Sequence, residues 1–384
     1  MRLIIWTLII VLAGVMPAGG VNYFVSPSGN DGNDGLDSTT AWASIDRGDQ
    51  LALLVSGDTV NVMPGTYLPS SSIQLKTNGT APLPIIYRKF VTEDVIIDGN
   101  NQDYALIQID GNYVIVDGFE ITNTQKEGIV IGGDGCQIYN CYIHNLDEIG
   151  IKSATDDHIF YGNIMAHTGS DGIEIDGENC LTYNNTVYYS GNRGIHYKAG
   201  VSAGRIFNNI SIGNNEGIRG KETLVCGFNL VWDNSSDYTN GVIDSAGGIS
   251  ADPLFINAVG GDFTLQPTSP CIDTALNIGY PYHGTAPDMG AIEYILFNEL
   301  PILTAIGSQS TTENINLNFG ILASDDKSTP VLTTSTLPTG ASFVDNADGT
   351  GDFDWTPTYL QSGSYDVTFY ATDDSSAVDS ELIN

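Results

Sequence analysis

The sequence is short of positive charge and of long hydrophobic runs. Its 384 residues include 13 lysines and arginines against 46 aspartates and glutamates, which gives a formal net charge of −33. Nucleic acids and anionic membrane surfaces are therefore not expected as partners, because both repel an acidic protein. After the N-terminal residues, no stretch has the roughly 20 apolar residues of a membrane-spanning helix. The sequence thus predicts neither a nucleic-acid-binding protein nor a membrane span.

Cysteine is also scarce, and the five cysteines do not have the spacing of a disulfide framework or a zinc site. Cys136 and Cys180 would lie two repeats apart in the fold derived below, about 9–10 Å by strand spacing, which is too far for a disulfide. We expect all five to be buried thiols.

The N-terminus has the pattern of a signal peptide. Arg2 precedes an apolar run over residues 3–15, and small residues at Ala18 and Gly20 place a cleavage site before Val21. Residues 1–20 are therefore predicted to be removed. The mature chain is expected to be secreted, either extracellular or on the cell surface.

A Gly-Ile pair recurs at a fixed interval in the middle of the chain. The glycines are 22 residues apart, with a last interval of 23: Gly128, Gly150, Gly172, Gly194 and Gly217. A repeat of this length, rich in glycine, asparagine and β-branched residues and without helical periodicity, is typical of a solenoid of strands. Each repeat would be one coil of a parallel β-helix, with about 4.8 Å between coils. Asn163, Asn185 and Asn209 recur in step and are predicted to stack at a turn, where their amides bond from coil to coil.

The repeat also predicts which side chains face solvent. Alternate residues of a strand point to opposite faces, and the isoleucines form the inward stack: Ile129, Ile151, Ile173 and Ile195. The residues after them form one outward row: Val130, Lys152, Glu174, His196 and Arg219. A second outward row lies two residues further on: Gly132, Ala154, Asp176, Lys198 and Lys221. An active site is expected on this sheet face.

Motifs near the mature N-terminus resemble those of a known group of proteins. They are residues 23–33, Ser56-Gly57-Asp58-Thr59-Val60, Pro64-Gly65-Thr66-Tyr67, Pro84-Ile85-Ile86 and Ile96-Ile97-Asp98-Gly99. These segments are similar to the opening of secreted bacterial right-handed parallel β-helix proteins, among them pectate lyases of family 9 and alginate or chondroitin lyases of family 6. The resemblance extends over roughly residues 21–295. It implies a β-helix. Residues 45–55 are predicted to form a short amphipathic helix that covers the open first coil.

Two further segments resemble other modules. Residues 252–294 are similar to the closing segment called a choice-of-anchor domain, which implies a C-terminal cap and cell-surface attachment through a part further downstream. Residues 337–343 and 353–357 resemble Ig-like, cadherin-related domains of bacterial surface proteins, and the alternating runs around them suit a β-sandwich. We expect this last domain to be truncated.

The predicted fold is all-β. It is a right-handed parallel β-helix of about nine or ten coils with end caps, followed by a partial Ig-like β-sandwich. The predicted boundaries are 1–20 for the signal peptide, 21–94 for the N-terminal cap and first coils, 95–250 for the body, 251–295 for the C-terminal cap and 299–384 for the Ig-like domain.

Lys198 is the leading candidate for a catalytic base. Residues 194–200, followed by 206–209, resemble the family 9 segment that holds the Brønsted-base lysine. Elimination from a uronate needs a base for the proton α to the carboxylate and a cation on that carboxylate. Arg193, Arg219 and Lys221 would lower the lysine pKa and hold the sugar. The family has a calcium-binding aspartate where this chain has Arg193.

Lys152 is the second candidate base, because Ile151-Lys152-Ser153 resembles the catalytic lysine segment of family 6. The partner arginine of that family, one coil later, is replaced here by Glu174. His196 is expected to bind sugar or to act as an acid.

The acidic residues of this face allow several interpretations. Asp171, Glu174 and Asp176 suit a Ca²⁺ site. Glu174 with Asp176 or Asp171 also suits the pair of carboxylates of a glycoside hydrolase. The remaining alternative is a set of surface acids balanced by Lys152 and Lys198.

Three functions remain open from the sequence. The first is a secreted lyase, monomeric, that cleaves an acidic, uronate-containing polysaccharide by β-elimination, pectate-like ahead of alginate-like. The others are a glycoside hydrolase and a non-catalytic surface or adhesion protein. Five of the 13 basic residues fall within 193–221, which favours an anionic sugar.

Overall fold

The computed structural model describes residues 20–295, 300–325 and 328–384. The chain divides into two compact units, the first ending at Ile295. The predicted signal peptide lies outside the described residues except for Gly20, and so does Glu299, where the last predicted domain begins. Among the described residues, no helix has the length and hydrophobicity needed to cross a membrane.

The first unit is built on three parallel sheets, called A, B and C below. Sheet A contains Asn22–Val25, Thr59–Val62, Ile85–Lys89, Val114–Asp117, Gln137–Tyr139, Ile159–Tyr161, Cys180–Tyr183, Gly204–Phe207 and Val225–Gly227. Sheet B contains Gly65–Tyr67, Val95–Gln102, Phe119–Thr124, Tyr142–Leu146, Ile164–Thr168, Thr186–Tyr188, Ile210–Ile212 and Leu230–Trp232. Sheet C contains Ile73–Leu75, Ile107–Ile109, Ile129–Ile131, Ile151–Ser153, Ile173–Ile175, Arg193–Tyr197, Glu216–Arg219 and Ser236–Thr239.

The chain visits the three sheets in the order A, B, C and returns to A, so each circuit is one coil of a parallel β-helix. This confirms the predicted all-β solenoid. Sheets B and C each have eight strands, so eight coils contribute to every sheet, and the predicted nine or ten was too high. The difference arises at the ends, because Asn22–Val25 adds a single strand to sheet A and residues 251–295 leave the solenoid.

The core lies inside the coils and is made of stacked β-branched side chains. Ile129, Ile151, Ile173, Ile195 and Ile218 are in register on neighbouring strands of sheet C. All of them are fully buried. Burial of one such side chain contributes roughly 1.5–3 kcal/mol, so the repeated Gly-Ile pair of the sequence is the repeated unit of the core.

The predicted asparagine stack is present between sheets A and B. The Oδ1 atom of Asn185 accepts hydrogen bonds from the backbone and the side-chain amide of Asn163, at 3.1 and 3.0 Å. Asn209 does the same for Asn185, and Asn229 does so for Asn209. Just before each Asn, the chain turns through a left-handed residue such as Asn184 (φ 50°), a conformation that asparagine tolerates.

The N-terminal cover differs from the predicted helix over residues 45–55. Only Arg47–Gln50 is α-helical, after a 3₁₀ turn at Ser38–Thr40. The helix stops there because Ala52 adopts a left-handed φ of 51°, which an α-helix does not accommodate. Trp42 supplies the apolar contact instead: it is fully buried and stacks on Tyr23 at 4.9 Å between ring centroids.

Residues 251–295, predicted to be a C-terminal cap, pack against the outer face of sheet B. They form a hairpin of Phe255–Asn257 and Asp262–Leu265, with a 3₁₀ turn at Ala258–Gly260. Its buried residues join those on the outer face of sheet B in one cluster that includes Phe263, Met289, Tyr188, Ile210 and Leu230. This segment therefore packs along the side of the coils, because the outer face of sheet B is itself apolar and needs a cover.

All five cysteines are free and buried, as predicted. Burial raises the pKa of the Cys136 thiol to about 11 and those of Cys141, Cys180 and Cys271 to about 12. Raised pKa values keep the thiols protonated, so these residues act as small apolar side chains.

The second unit contains two antiparallel sheets. One has the strands Ile302–Leu303, Leu317–Ser324, Thr350–Trp355 and Ser342–Asp345, and the other has Val331–Thr334, Val367–Thr372 and Val378–Ile383. Alternate residues of these strands are buried in a core around Phe353 and Phe369. The Ig-like identity of this unit and its predicted boundaries stay predictions.

Candidate active site

The outer face of sheet C carries the row of side chains that the repeat placed there. Val130 pairs with Lys152, Lys152 with Glu174, Glu174 with His196, and His196 with Arg219, each on the adjacent strand. Neighbouring strands are about 4.8 Å apart, so four ionisable side chains follow one another along this face.

Asp171 is the buried centre of the face. It lies in the turn before the strand Ile173–Ile175, and its side chain is only 1% exposed. Its Oδ2 atom lies 2.7 Å from Nδ1 of His196 and 3.4 Å from Nη1 of Arg193. Its Oδ1 atom accepts the backbone N–H of Arg193 at 3.1 Å. The carboxylate is therefore held by donors on both oxygens.

Lys198 lies at the solvent side of the same cluster. Its Nζ atom is 3.5 Å from Oε1 of Glu174 and 3.4 Å from Oδ2 of Asp176. The side chain is 39% exposed. Lys198 is thus accessible to a large substrate. It contacts two carboxylates, and not the arginines that were predicted to lie beside it.

Lys152 has a different partner. Its Nζ atom donates to Oε1 of Glu127 at 2.8 Å, and this hydrogen bond raises the pKa of Lys152. A lysine whose pKa is raised stays in its charged form, and that form cannot accept a proton. The structure therefore argues against Lys152 as a base.

The two arginines predicted to bind substrate meet at Glu216. Nε of Arg193 and Nη1 of Arg219 lie 3.4 and 2.9 Å from its Oε2 atom. Burial acts to raise the pKa of Glu216, but hydrogen bonds from Thr239 and Arg219 lower it overall. Both arginines are thus oriented by a carboxylate that stays ionised.

Lys221 lies near the segment that follows Lys198. Hydrogen bonds from Ala203 and Ser202 lower the pKa of Glu178, and the charge of Lys221 adds to this effect. Glu178 accepts the backbone N–H of Ser202 at 3.0 Å and that of Ala203 at 2.6 Å. Glu178, which the sequence analysis did not single out, thereby fixes the segment on the border of the face.

The three predicted Ca²⁺ ligands do not all come together: Asp171 and Glu174 do, and Asp176 does not join them. Among the described residues, donor atoms of Asp171, Glu174 and His196 lie within 4.8 Å of one another, whereas Asp176 is not part of that group. Ca²⁺ takes six to eight oxygen ligands, and this group has an imidazole nitrogen where the third carboxylate was expected. The residues present therefore do not fit Ca²⁺.

A third row of the repeat contains two residues, Glu127 and Glu216, that the sequence analysis did not single out. Glu127, Ile149, Asp171, Arg193 and Glu216 each directly precede the glycine of a Gly-Ile pair, so the repeat itself contains the signal. Arg193 and Glu216 are paired in register. This row supplies Glu127 and Glu216, the partners of Lys152 and Arg219.

The fold and this face together define the class of protein. It is a parallel β-helix with a row of ionisable side chains on the outer face of one sheet. Residues 23–246 match the family described as "Pel9A-like, right handed beta helix region". The match covers more than half of the chain, and the protein belongs to this family.

Similar proteins include lyases. Pectate lyase PEL9 of Emericella nidulans is 36% identical over 90 residues, which are 23% of this chain and 21% of that protein. The chain thus aligns with about a fifth of this curated relative. The crystal structure of pectate lyase Pel9A matches with 17% identity and a TM-score of 0.47, over 71% of this chain and 96% of that one. The alginate lyase from Paenibacillus sp. str. FPU-7 matches with 20% identity and a TM-score of 0.37, over 53% and 72%.

Proposed function

We propose that this protein is a polysaccharide lyase that cleaves a uronate-containing, pectate-like polysaccharide by β-elimination. Membership of the Pel9A-like family supports this class of reaction. The observation that carries the proposal is the position of Lys198, half-exposed on the outer face of sheet C beside the His196–Asp171 pair. An extended polysaccharide suits such a face, because the outward rows run along five consecutive coils.

In this mechanism Lys198 removes the proton α to the uronate carboxylate. The electron pair of that C–H bond forms the new C4–C5 double bond, and the bond from C4 to the glycosidic oxygen breaks. The leaving oxygen then takes up a proton from water. Lys198 enters this step as the neutral amine, and the proton that it takes up passes to solvent, to which the side chain is 39% exposed.

Arg219 is the group we assign to the substrate carboxylate. It follows His196 in the row, and its side chain is 31% exposed. A guanidinium can bind a carboxylate with two parallel hydrogen bonds, and its charge stabilises the negative charge that develops when the α proton leaves. Glu216 orients the arginine from the other side at 2.9 Å. Arg193 and Lys221 add positive charge at the border of the face.

Secretion fits this function, because a polymeric substrate is met outside the cell. We infer that residues 1–20 direct export and that the chain acts as a monomer, extracellular or at the cell surface. The antiparallel second unit is then an Ig-like module. Its alternating strands and aromatic core are what supports this assignment.

The hydrolase alternative is weaker on geometry. Asp171 is 1% exposed, and both of its oxygens accept hydrogen bonds, so it is not available as a nucleophile or a base for water. Glu174 and Asp176 both contact Lys198. The same ion pairs are also what a non-catalytic surface would contain, and the experiment below separates these functions.

The experiment is an assay of the purified chain against a panel of uronate and neutral polysaccharides. Two products are followed together: the ultraviolet absorbance of unsaturated chain ends and the number of new reducing ends. We expect both to rise on a pectate-like substrate. New reducing ends without the absorbance would identify a hydrolase, and no new ends on any polymer would identify a non-catalytic protein.

A further inference from the structure

The carboxylates of the candidate site are already neutralised by groups of the chain itself. Asp171 accepts three hydrogen bonds: from the backbone of Arg193 at 3.1 Å, from its guanidinium at 3.4 Å, and from the imidazole of His196 at 2.7 Å. A carboxylate has about four lone-pair sites. Little acceptor capacity is therefore left on Asp171 for a bound ion.

Glu174 and Asp176 also lie beside basic side chains. Oε2 of Glu174 is 3.7 Å from Nδ1 of His196, and its Oε1 atom is 3.5 Å from Nζ of Lys198. Asp176 lies 3.4 Å from the same ammonium. Each acid that was predicted to bind Ca²⁺ thus lies next to a nitrogen that carries a proton.

These nitrogens occupy the place where a divalent cation would have to bind. A Ca²⁺ ion lies 2.3–2.6 Å from its oxygen ligands, whereas guanidinium, ammonium and imidazole groups approach the same oxygens to 2.7–3.5 Å here. The ion and these donors would meet at close range, and the guanidinium of Arg193 repels a cation strongly where water is scarce. Binding of Ca²⁺ would require Asp171 to release the donors on both of its oxygens.

We propose that His196 and Arg193 form a built-in replacement for a divalent cation, so that this face is assembled and works without Ca²⁺. His196 is the central residue, because its Nδ1 atom lies between Asp171 and Glu174. The catalytic consequence rests on the proposed lyase function: the uronate carboxylate is neutralised by arginine rather than by a metal ion.

Calcium titration of the full chain by calorimetry, in the absence of substrate, tests this inference. The wild-type chain and Asp171→Asn are expected to give the same titration, because Asp171 binds no ion. The double variant Arg193→Asp, His196→Ala removes the two donor side chains and adds a carboxylate. It is expected to bind Ca²⁺ at least about tenfold more tightly than the wild type, because it replaces positive charge by negative charge at the site. Circular dichroism confirms that each variant is folded.

Arg205→Asp is the matched control. It makes the same change of charge as Arg193→Asp, but Arg205 is an exposed residue of sheet A. This variant is expected to titrate like the wild type. A gain in affinity equal to that of the double variant would mean that overall charge, and not the site, controls Ca²⁺ binding, and would overturn the inference.

Two other outcomes would also overturn it. One is binding of Ca²⁺ by the wild type that Asp171→Asn abolishes. The other is failure of the double variant to gain Ca²⁺ affinity, since the donors would then not be what excludes the ion. The titration involves no substrate, so its result stands even if no polysaccharide is cleaved. Where cleavage is found, we expect the rate to be unchanged by EDTA, and a loss that added Ca²⁺ restores would contradict the inference.

Discussion

The Nδ1 atom of His196 lies 2.7 Å from Oδ2 of Asp171, although 25 residues separate the two in the chain. They meet because Glu174 and His196 are in register on adjacent strands, and Asp171 ends the turn that leads into the strand of Glu174. An ionised carboxylate only accepts hydrogen bonds, so Nδ1 carries the proton. This contact fixes the orientation of the imidazole, as a carboxylate does for histidine in many enzymes.

Asp171→Asn is expected to lower both stability and activity. Asparagine keeps the shape, but its amide group has one acceptor oxygen instead of two, and the donors of Arg193 and His196 lose their ionised partner. The free energy of unfolding should fall by about 1–3 kcal/mol, measured by denaturant unfolding.

Asp176→Asn is the control for that change. Its side chain is 46% exposed and its ion pair is with the half-exposed Lys198, so the same substitution should cost less than about 1 kcal/mol. Equal losses in the two variants would contradict the central position of Asp171.

Asn185→Ala should be more destabilising than its small change in volume suggests. The Asn185 side chain accepts from Asn163 and donates to Phe160, Tyr183 and Asn209, all in the buried turn. Removal leaves several backbone groups without a partner, which costs about 2–4 kcal/mol. Thermal unfolding measures the loss, and Asn215→Ala, at an exposed turn position, should leave stability within about 0.5 kcal/mol of the wild type.

His158 should make stability depend on pH. It is fully buried, and burial lowers its pKa from 6.5 to about 4. A backbone N–H of Cys136 donates to its Nδ1 atom. The folded state therefore binds the proton more weakly than the unfolded chain. Its contribution is present above pH 6.5 and is lost as the pH falls towards 4.

The measurement for His158 is the free energy of unfolding at pH 7 and at pH 4, compared with His158→Asn. The fall between these two pH values should be smaller in the variant, by up to about 3 kcal/mol. Other groups titrate in both proteins and cancel in this comparison. An equal fall in the two proteins would show that His158 plays no part.

The fold was readable from the sequence because each coil is a local unit with the same period. The isoleucine stack, the outward row from Val130 to Arg219 and the asparagine stack all follow from the spacing. The cover over sheet B was not readable, because contacts such as that of Phe263 with Tyr188 are not periodic.

The site was readable only in part. The repeat indicates which side chains share the face, but not which hydrogen bonds and ion pairs they form. His196 bonds to Asp171 rather than standing free, Arg193 contacts both Asp171 and Glu216, and Arg219 contacts Glu216. These contacts depend on the conformation of each side chain, which the spacing of residues in the sequence does not give.

The proposed role of Lys198 is tested most directly by the initial rate at which unsaturated ends form on a pectate-like polymer. Lys198→Ala should lower that rate by about 10²–10⁴-fold, because it removes the base. It should leave the thermal unfolding midpoint unchanged, since the side chain is on the surface. Lys152→Ala should keep most of the activity, because Lys152 is held in its charged form by Glu127. Full activity in Lys198→Ala would contradict the account.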